Sequence, residues 1–154
     1  MMVKLLSTLL VCALLLGLFG APLQAQEAMA EPATGVQAVY AAVEAKDIDA
    51  AKGLLADDAV LVLIPPPENT TGVFVGKEAI GQWYEGLAAD NHRYEWSDVQ
   101  VTGDRATWRA KDWSDSFAGL GVAPVDFEGT SVVQDGKVKA MTWVFSEESR
   151  NRFE

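Results

Sequence analysis

The 154-residue sequence contains one Cys (Cys12), one His (His92) and few basic side chains. One Cys excludes a disulfide framework and a zinc site built from Cys ligands. One His excludes a His-rich metal centre, so we expect neither a metal nor a cofactor. The 12 Lys and Arg stand against 22 Asp and Glu, and the net charge of −10 argues against a nucleic-acid-binding protein.

The first 25 residues have the three parts of a secretory signal peptide. Lys4 provides the positive start, residues 5–19 are an apolar run, and Ala25 is the small residue at the end. The run of about 15 residues is shorter than the roughly 20 that span a bilayer. We therefore expect residues 1–25 to be removed during export, leaving a periplasmic or extracellular chain without membrane contact. A retained membrane anchor is the alternative.

Residues 26–33 are mostly small and polar, which predicts a disordered lead-in, and the folded domain is expected from Thr34, a plausible N-cap. Three apolar stripes with i, i+3, i+4, i+7 spacing then predict three helices. The stripes are Val36, Val39, Tyr40 and Val43; Ile48, Ala51, Leu54 and Leu55; and Ile80, Trp83, Tyr84 and Leu87. Asp47 ends the first helix and caps the second, and Asp57 and Asp58 are expected to end the second.

The remaining pattern predicts strands. A Val- and Leu-rich run over 59–64 reads as a buried strand that three prolines terminate, and a short strand follows over 71–75. After the third helix the period changes to two, which predicts strands over 93–101, 105–117, 125–133 and 137–146. Asp135 and Gly136 are a tight-hairpin signal between the last two. The order ααββαββββ indicates a single domain of the α+β class.

Three motifs, taken in their order, resemble the SnoaL-like branch of the NTF2-like superfamily. They are Leu54-Leu55-Ala56-Asp57-Asp58-Ala59-Val60, then Gly76-Lys77-Glu78-Ala79-Ile80 followed by Trp83-Tyr84, and then Asp135-Gly136-Lys137-Val138. The resemblance covers residues 34–148 and leaves 149–154 as a polar tail. It implies a cone, in which three N-terminal helices pack inside a strongly curved antiparallel sheet with a pocket between them.

The last strand is also similar to that of the ketosteroid isomerases, but their catalytic residues are not reproduced. Leu63 stands near the position of the isomerases' proton-shuttling Asp, and Gly129 near that of their oxyanion Asp. Their oxyanion Tyr falls at Val39 or Tyr40, depending on the helix register. We therefore exclude steroid isomerase activity, although Tyr84 matches a supporting Tyr of that family.

Asp112 is the one carboxylate for which strand alternation predicts a chemical role. It shares the inward face of its strand with two apolar side chains, and an aromatic surrounding raises the pKa of a carboxyl group. An Asp of this kind can act as a general base near neutral pH, with Tyr84, and by the same reasoning Tyr40, as hydroxyl donors to a substrate. The alternative places Asp112 at a solvated rim, paired with Arg109 or Lys111.

The predicted pocket has an aromatic lining, which favours a small apolar or aromatic ligand. The predicted ligand-binding residues are Tyr40, Trp83, Tyr84, Trp108, Met141, Trp143 and Phe145. Because the isomerase positions are not reproduced, we expect an exported ligand-binding domain more than an enzyme. Two alternatives stay open: a cofactor-free lyase, isomerase or cyclase that uses Asp112, and a dimeric accessory module whose aromatic side chains fill its core.

The other polar residues are expected at the surface. His92 follows a helix end and is predicted to be solvated. Asp126 and Glu128 alternate with apolar neighbours, and we expect them to face solvent as partners of Arg109 and Lys111 on the adjacent strand.

Trp96 and Trp113 are predicted on the outer face of the sheet. Exposed aromatic rings on a sheet face favour an interface. We therefore expect a homodimer through that face.

Overall fold

Five helices and six strands make up residues 32–153, which are the residues described by this computed structural model. The helices are α1 (Pro32–Glu44), α2 (Ile48–Gly53), α3 (Lys77–Ala89), α4 (Asp115–Gly119) and α5 (Glu147–Asn151). The strands are β1 (Leu55–Ile64), β2 (Val73–Val75), β3 (Arg93–Thr102), β4 (Arg105–Trp113), β5 (Val125–Gln134) and β6 (Lys137–Phe145). The predicted signal peptide and most of the predicted lead-in lie outside the described residues. Among the five helices, none has the length and hydrophobicity to cross a membrane.

The strands form one curved six-stranded sheet in the order β2-β1-β6-β5-β4-β3. All neighbours are antiparallel except β1 and β6, which run parallel with Leu61 opposite Met141. The prediction of an entirely antiparallel sheet is therefore wrong at this pair. The reason is the path of the chain: α3 carries it to the far edge at β3, and the reversals that follow bring β6 back beside β1 in the same direction.

Helix α1 packs its predicted apolar stripe against the inner face of the sheet. Val36, Val39 and Val43 have no exposed surface, and Tyr40 is 2% exposed. Full burial of such side chains stabilises the fold by about 1.5–3 kcal/mol each. The helix begins at Pro32, because the fixed φ of proline suits a first helical turn. Thr34 therefore lies inside the helix and is not its N-cap.

Strand β1 begins at Leu55, earlier than predicted. Asp57 and Asp58, which were expected to end α2, lie within this strand and form ion pairs with Lys77 and Lys139. Their partners come from α3 and β6, elements that follow β1 in the sequence. Asp47 does cap α2 as predicted, since its carboxylate accepts a hydrogen bond from the backbone of α2 at 3.0 Å.

Strand β4 ends at Trp113, although alternation predicts a strand that continues to residue 117. The hydroxyl of Ser114 accepts a hydrogen bond from the N–H of Phe117 at 3.1 Å and caps the short helix α4. A Ser side chain that bonds the backbone in this way competes with strand pairing. The chain therefore turns at Ser114, which brings Phe117 to the mouth of the cone. The predicted order omits both α4 and the C-terminal α5.

Candidate functional site

A cavity of about 660 Å³ opens between the helices and the inner face of the sheet, and its wall is mostly apolar. Rings from helices and strands supply most of the surface. They belong to Tyr40, Trp83, Tyr94, Phe117, Phe127, Trp143, Phe145 and Phe153. Asp112 supplies a carboxyl group and His92 an imidazole to this wall, and Glu68 and Arg150 also contribute to the lining. The volume lies within the range of small-molecule sites, roughly 300–1,000 Å³.

Four of the predicted ligand-binding residues line this cavity: Tyr40, Trp83, Trp143 and Phe145. The structure places Tyr84, Trp108 and Met141 behind the lining, in the core. Tyr84 has no exposed surface, and its hydroxyl donates to Met141 Sδ at 3.8 Å. Tyr84 therefore does not reach the cavity, where it was expected to face a ligand.

Trp108 lies over Gly129 of the neighbouring strand, where a Cβ atom would come within 1.9 Å of the indole. Its ring centroid is 4.3 Å from that of Trp143 and 5.0 Å from that of Trp96. Trp96 thus belongs to the inner aromatic cluster, and the prediction that it lies on the outer face is wrong. The cause is strand register, since Trp96 stands opposite Ala110, which faces the core.

Asp112 is a buried carboxylate in the cavity wall, with an exposure of 4%. Burial raises its pKa to about 6, while the hydrogen bond and charge of His92 oppose that rise and the carboxylates of Asp90 and Glu44 add to it. The predicted inward face is confirmed. The alternative pairing with Arg109 or Lys111 is not observed.

His92 contacts Asp112 directly, which corrects the prediction of a solvated surface residue. Its side chain is only 9% exposed, and Nδ1 lies 2.9 Å from both carboxylate oxygens of Asp112. On the other side of the ring, Nε2 lies 3.3 Å from Oδ2 of Asp90. The imidazole therefore joins two carboxylates, and we call Asp112, His92 and Asp90 the Asp–His–Asp cluster.

The end of α3 explains why the cluster forms. Asp90 follows the last helical residue, and Asn91 has a φ of 53°, in the left-handed region that Asn tolerates. The N–H of His92 then donates to the carbonyl of Leu87 at 3.2 Å. This reversal brings Asp90 and His92 to the same side of the chain. The Asn between an acid and a histidine at a helix end is the sequence signal for this turn.

Ser116 orients the carboxylate of Asp90. Oδ1 accepts from the hydroxyl of Ser116 at 2.8 Å and from its backbone N–H at 3.1 Å, so that Oδ2 faces His92. Partial burial acts to raise the pKa of Asp90, but the hydrogen bonds of Ser116 and Ser114 and the charge of His92 lower it overall. Asp90 is therefore an anion over the ordinary pH range.

Tyr40 and Tyr94 supply the phenol groups of the cavity, and their ring centroids are 4.9 Å apart. Burial, together with the charge of Asp112, raises the pKa of both well above the ordinary value. Both phenols therefore stay protonated, and the hydroxyl of Tyr40 donates toward that of Tyr84 in the core. Within residues 32–153, no group of three or more His, Cys, Asp and Glu side chains is arranged to hold a metal ion.

The acids of β5 face outward, as predicted. Arg109 lies 3.1 Å from Glu128 and 3.5 Å from Asp98, which confirms the expected cross-strand pair. Asp126 instead pairs with Arg152 at 3.1 Å, after α5. These outer carboxylates are separate from the cavity, so Asp112 is chemically distinct from them.

A profile of the SnoaL-like domain matches residues 36–140, the greater part of the sequence. The chain belongs to the SnoaL-like domain family. Solved structures of NTF2-like proteins resemble this SnoaL-like domain, which confirms the expected fold. Comparison of the sequence with curated proteins gives no significant match.

Three solved structures show the extent of the similarity. A Sinorhizobium meliloti protein, to which polyketide cyclase activity is assigned by inference, is 26% identical with a TM-score of 0.57, over 71% of this chain and 92% of that chain. A Mycobacterium tuberculosis protein is 20% identical with a TM-score of 0.65, over 77% and 96%. An NTF2-like protein of unknown function from Cytophaga hutchinsonii is 15% identical with a TM-score of 0.61, over 80% and 95%.

The SnoaL-like domain has an arrangement of polar groups different from that of the isomerases it resembles. Leu63, near the position of their proton-shuttling Asp, is an apolar part of the cavity wall. Gly129, near the position of their oxyanion Asp, lies beneath the indole of Trp108. The carboxyl and imidazole groups in the inner wall of this cavity belong instead to Asp112 on β4 and to His92, which directly precedes β3.

Proposed function

We propose that this SnoaL-like domain binds a small, largely apolar carbonyl compound in its cavity and moves a proton at the carbon next to the carbonyl. Asp112 is the general base. The reaction class is that of a cofactor-free cyclase, isomerase or lyase. The observation that carries the proposal is the buried carboxylate of Asp112, 2.9 Å from the imidazole of His92, in the wall of an apolar cavity.

The proton transfer can be written from the side chains present. The carboxylate of Asp112 takes the proton, the C–H bond breaks, and its electron pair moves onto the carbonyl oxygen to form an enolate. With a pKa of about 6, Asp112 is ionised at neutral pH and is a stronger base than an exposed Asp. Tyr94, which lines the cavity, can donate a hydrogen bond to the enolate oxygen, where charge develops.

The fate of the enolate decides the product. Return of the proton to a different carbon gives an isomer, and attack of the enolate on a second carbonyl of the same molecule closes a ring. The cyclase assignment of the Sinorhizobium meliloti relative supports the second route, because ring closure of a polycarbonyl chain begins with an enolate. The cavity volume of about 660 Å³ leaves room for a molecule of two or three rings.

The experiment follows exchange of the acidic proton of 2-methyl-1-tetralone, an aromatic ketone with one such proton, in D2O by NMR. Binding of the ketone is measured separately by quenching of Trp fluorescence. We expect the wild-type domain to accelerate exchange and Asp112→Asn to lower the rate by roughly 10²–10⁴-fold at unchanged binding. Glu128→Gln, which removes an acid from the outer face of β5, is the matched control and should behave as wild type.

Equal rates for Asp112→Asn and the wild-type domain contradict the proposed base. A wild-type domain that binds the ketone without exchange instead supports the second candidate, an apolar ligand-binding domain without catalysis. The mostly apolar lining of the cavity favours that candidate. An accessory module with a filled core fits the cavity least well.

The signal-peptide pattern of residues 1–25 supports a role outside the cytoplasm, and we propose export for the mature domain. We also propose a homodimer through the outer face of the sheet. Trp113 supports it, because alternation in β4 directs this ring away from the face that carries Asp112. Light scattering on the purified protein measures the oligomeric state.

A further inference from the structure

The geometry points to a proton path from the cavity to solvent along the Asp–His–Asp cluster, in which Asp90 is the positioning residue at the outer end. The inference rests on the proposed function, since it describes how the base in the cavity is returned to its starting state. It assigns a role to Asp90, a residue that does not touch the cavity.

The three side chains follow one another from the interior to the surface. The exposed fractions of the side chains rise from 6% for Asp112 to 9% for His92 and 28% for Asp90. Nδ1 faces the inner carboxylate and Nε2 the outer one, so each ring nitrogen serves a different carboxylate. An imidazole in this position can take a proton at one nitrogen and release one at the other.

Three depressions of the surface include His92 in their lining, and two of them hold the carboxylates of the cluster. Asp112 and His92 line the main cavity, whereas Asp90, Ser116 and His92 line a shallow depression on the other side, beside α3. Of the three cluster side chains, only His92 borders both. The imidazole therefore lies between a mostly apolar cavity and a polar depression of the surface, with one ring nitrogen toward each.

The step balances without another reactant. After Asp112 has taken a proton from the ligand, its O–H bond breaks as an Nδ1–H bond forms on His92. The Nε2–H bond breaks as that proton passes to the carboxylate of Asp90 and on to water. The ring ends as the opposite tautomer with no net charge, and Asp112 is again a carboxylate. A proton entering from solvent follows the reverse order.

Other charged and titratable groups surround the cluster without joining the path. Glu44 of α1 accepts a hydrogen bond from the backbone N–H of Tyr94, and its carboxylate is among those that act on Asp112. Asp115 accepts from the side chain of Asn91 at 2.6 Å. Because Asp115 neighbours the turn without contacting the imidazole, Asp115→Asn is the matched control.

The first test uses the same exchange reaction with 2-methyl-1-tetralone, compared with its α-deuterated form in H2O. In the wild type, breaking the bond to carbon limits the rate, so a primary isotope effect is expected. In Asp90→Asn, proton exchange between Asp112 and solvent should limit the rate instead. The exchange rate should fall by about tenfold or more and the isotope effect should approach one, while ketone binding stays unchanged.

The second test measures the imidazole by ¹⁵N NMR and needs no catalysis. His92 is the only His of the sequence, so its signals need no assignment. Asp90→Asn should lower the ratio of the Nε2–H to the Nδ1–H tautomer of the neutral imidazole by about two- to fivefold, because the carboxylate that faces Nε2 loses its charge. Asp115→Asn should leave the ratio unchanged, and Asp90→Glu should restore part of it. Circular dichroism verifies that each variant is folded.

The outcomes separate the two proposals. If the wild-type domain gives no exchange, the proposed function fails, and the tautomer ratio alone decides whether Asp90 acts on His92. If the wild-type domain catalyses exchange and Asp90→Asn keeps both its isotope effect and its tautomer ratio, the proton path is wrong and the proposed function stands.

Discussion

Ionised Asp112 should destabilise the folded domain, and removal of its charge should abolish a defined part of the pH dependence of stability. In the unfolded chain the carboxyl group has its ordinary pKa of 3.8, and burial raises the pKa in the folded chain to about 6. The folded chain therefore binds this proton more tightly. The stabilising contribution is fully present below pH 3.8 and is lost as the pH rises through about 6.

The size of the effect follows from the same two values. A difference between 3.8 and about 6 corresponds to roughly 3 kcal/mol of unfolding free energy, most of it lost between pH 4 and pH 7.5. Asp57 and Asp58 have lowered pKa values and act in the opposite direction, but at lower pH, as the solution is acidified through their folded values. Their effect therefore falls mostly below the window from pH 4 to pH 7.5.

The assay is urea unfolding followed by Trp fluorescence at a series of pH values, for the wild type, Asp112→Asn and Glu128→Gln. We expect the wild type and Glu128→Gln to lose up to about 3 kcal/mol more than Asp112→Asn between pH 4 and pH 7.5. The Asn amide keeps the shape of the side chain and an acceptor for His92 but carries no charge. Parallel curves for Asp112→Asn and the wild type would refute the burial argument for this carboxylate.

Further predictions concern packing, the C-terminal helix and the leader. Gly129→Ala should destabilise the domain by about 1–3 kcal/mol in thermal unfolding, because the new Cβ overlaps the ring of Trp108; a melting temperature equal to that of the wild type would contradict it. Ser149→Ala should cost about 1–3 kcal/mol and speed hydrogen exchange in α5, since its buried hydroxyl accepts from the backbone of β5 at 2.8 Å; unchanged exchange would count against it. Intact mass spectrometry of the exported protein should give the mass of a chain that starts at Gln26, and the mass of the full-length chain would exclude cleavage there.

The periodicity of the sequence was sufficient to predict the elements whose conformation depends on neighbouring residues. The stripes of α1 and α3 follow from the helical repeat, because one face of each helix packs on the sheet. The last hairpin follows from Asp135 and Gly136, whose φ angles of 51° and 71° match the left-handed turn that this pair favours.

Prediction from the sequence failed where residues distant in the chain determine the conformation. Asp57 and Asp58 look like a helix end, yet they lie in β1, whose neighbours β2 and β6 are distant in the sequence. Trp96 looks like a surface ring of an edge strand, but it packs on Trp108 inside the cone. Neither partner can be identified from the neighbouring sequence.

The candidate site was predicted only in part. Strand alternation placed Asp112 inside, because β4 keeps a regular register with β5. His92 was missed because a lone His after a helix is most often solvated, and its burial depends on the reversal at Asn91 and on the position of β4. Asp90 could be recognised only together with His92.

The most direct test of the account is the rate of α-proton exchange of bound 2-methyl-1-tetralone in D2O at pH 7.5, with the wild type and Asp112→Asn compared at equal ketone occupancy. The account predicts that the wild type exceeds the variant by roughly 10²–10⁴-fold. Equal rates at equal occupancy would contradict the assignment of Asp112 as the general base of this cavity.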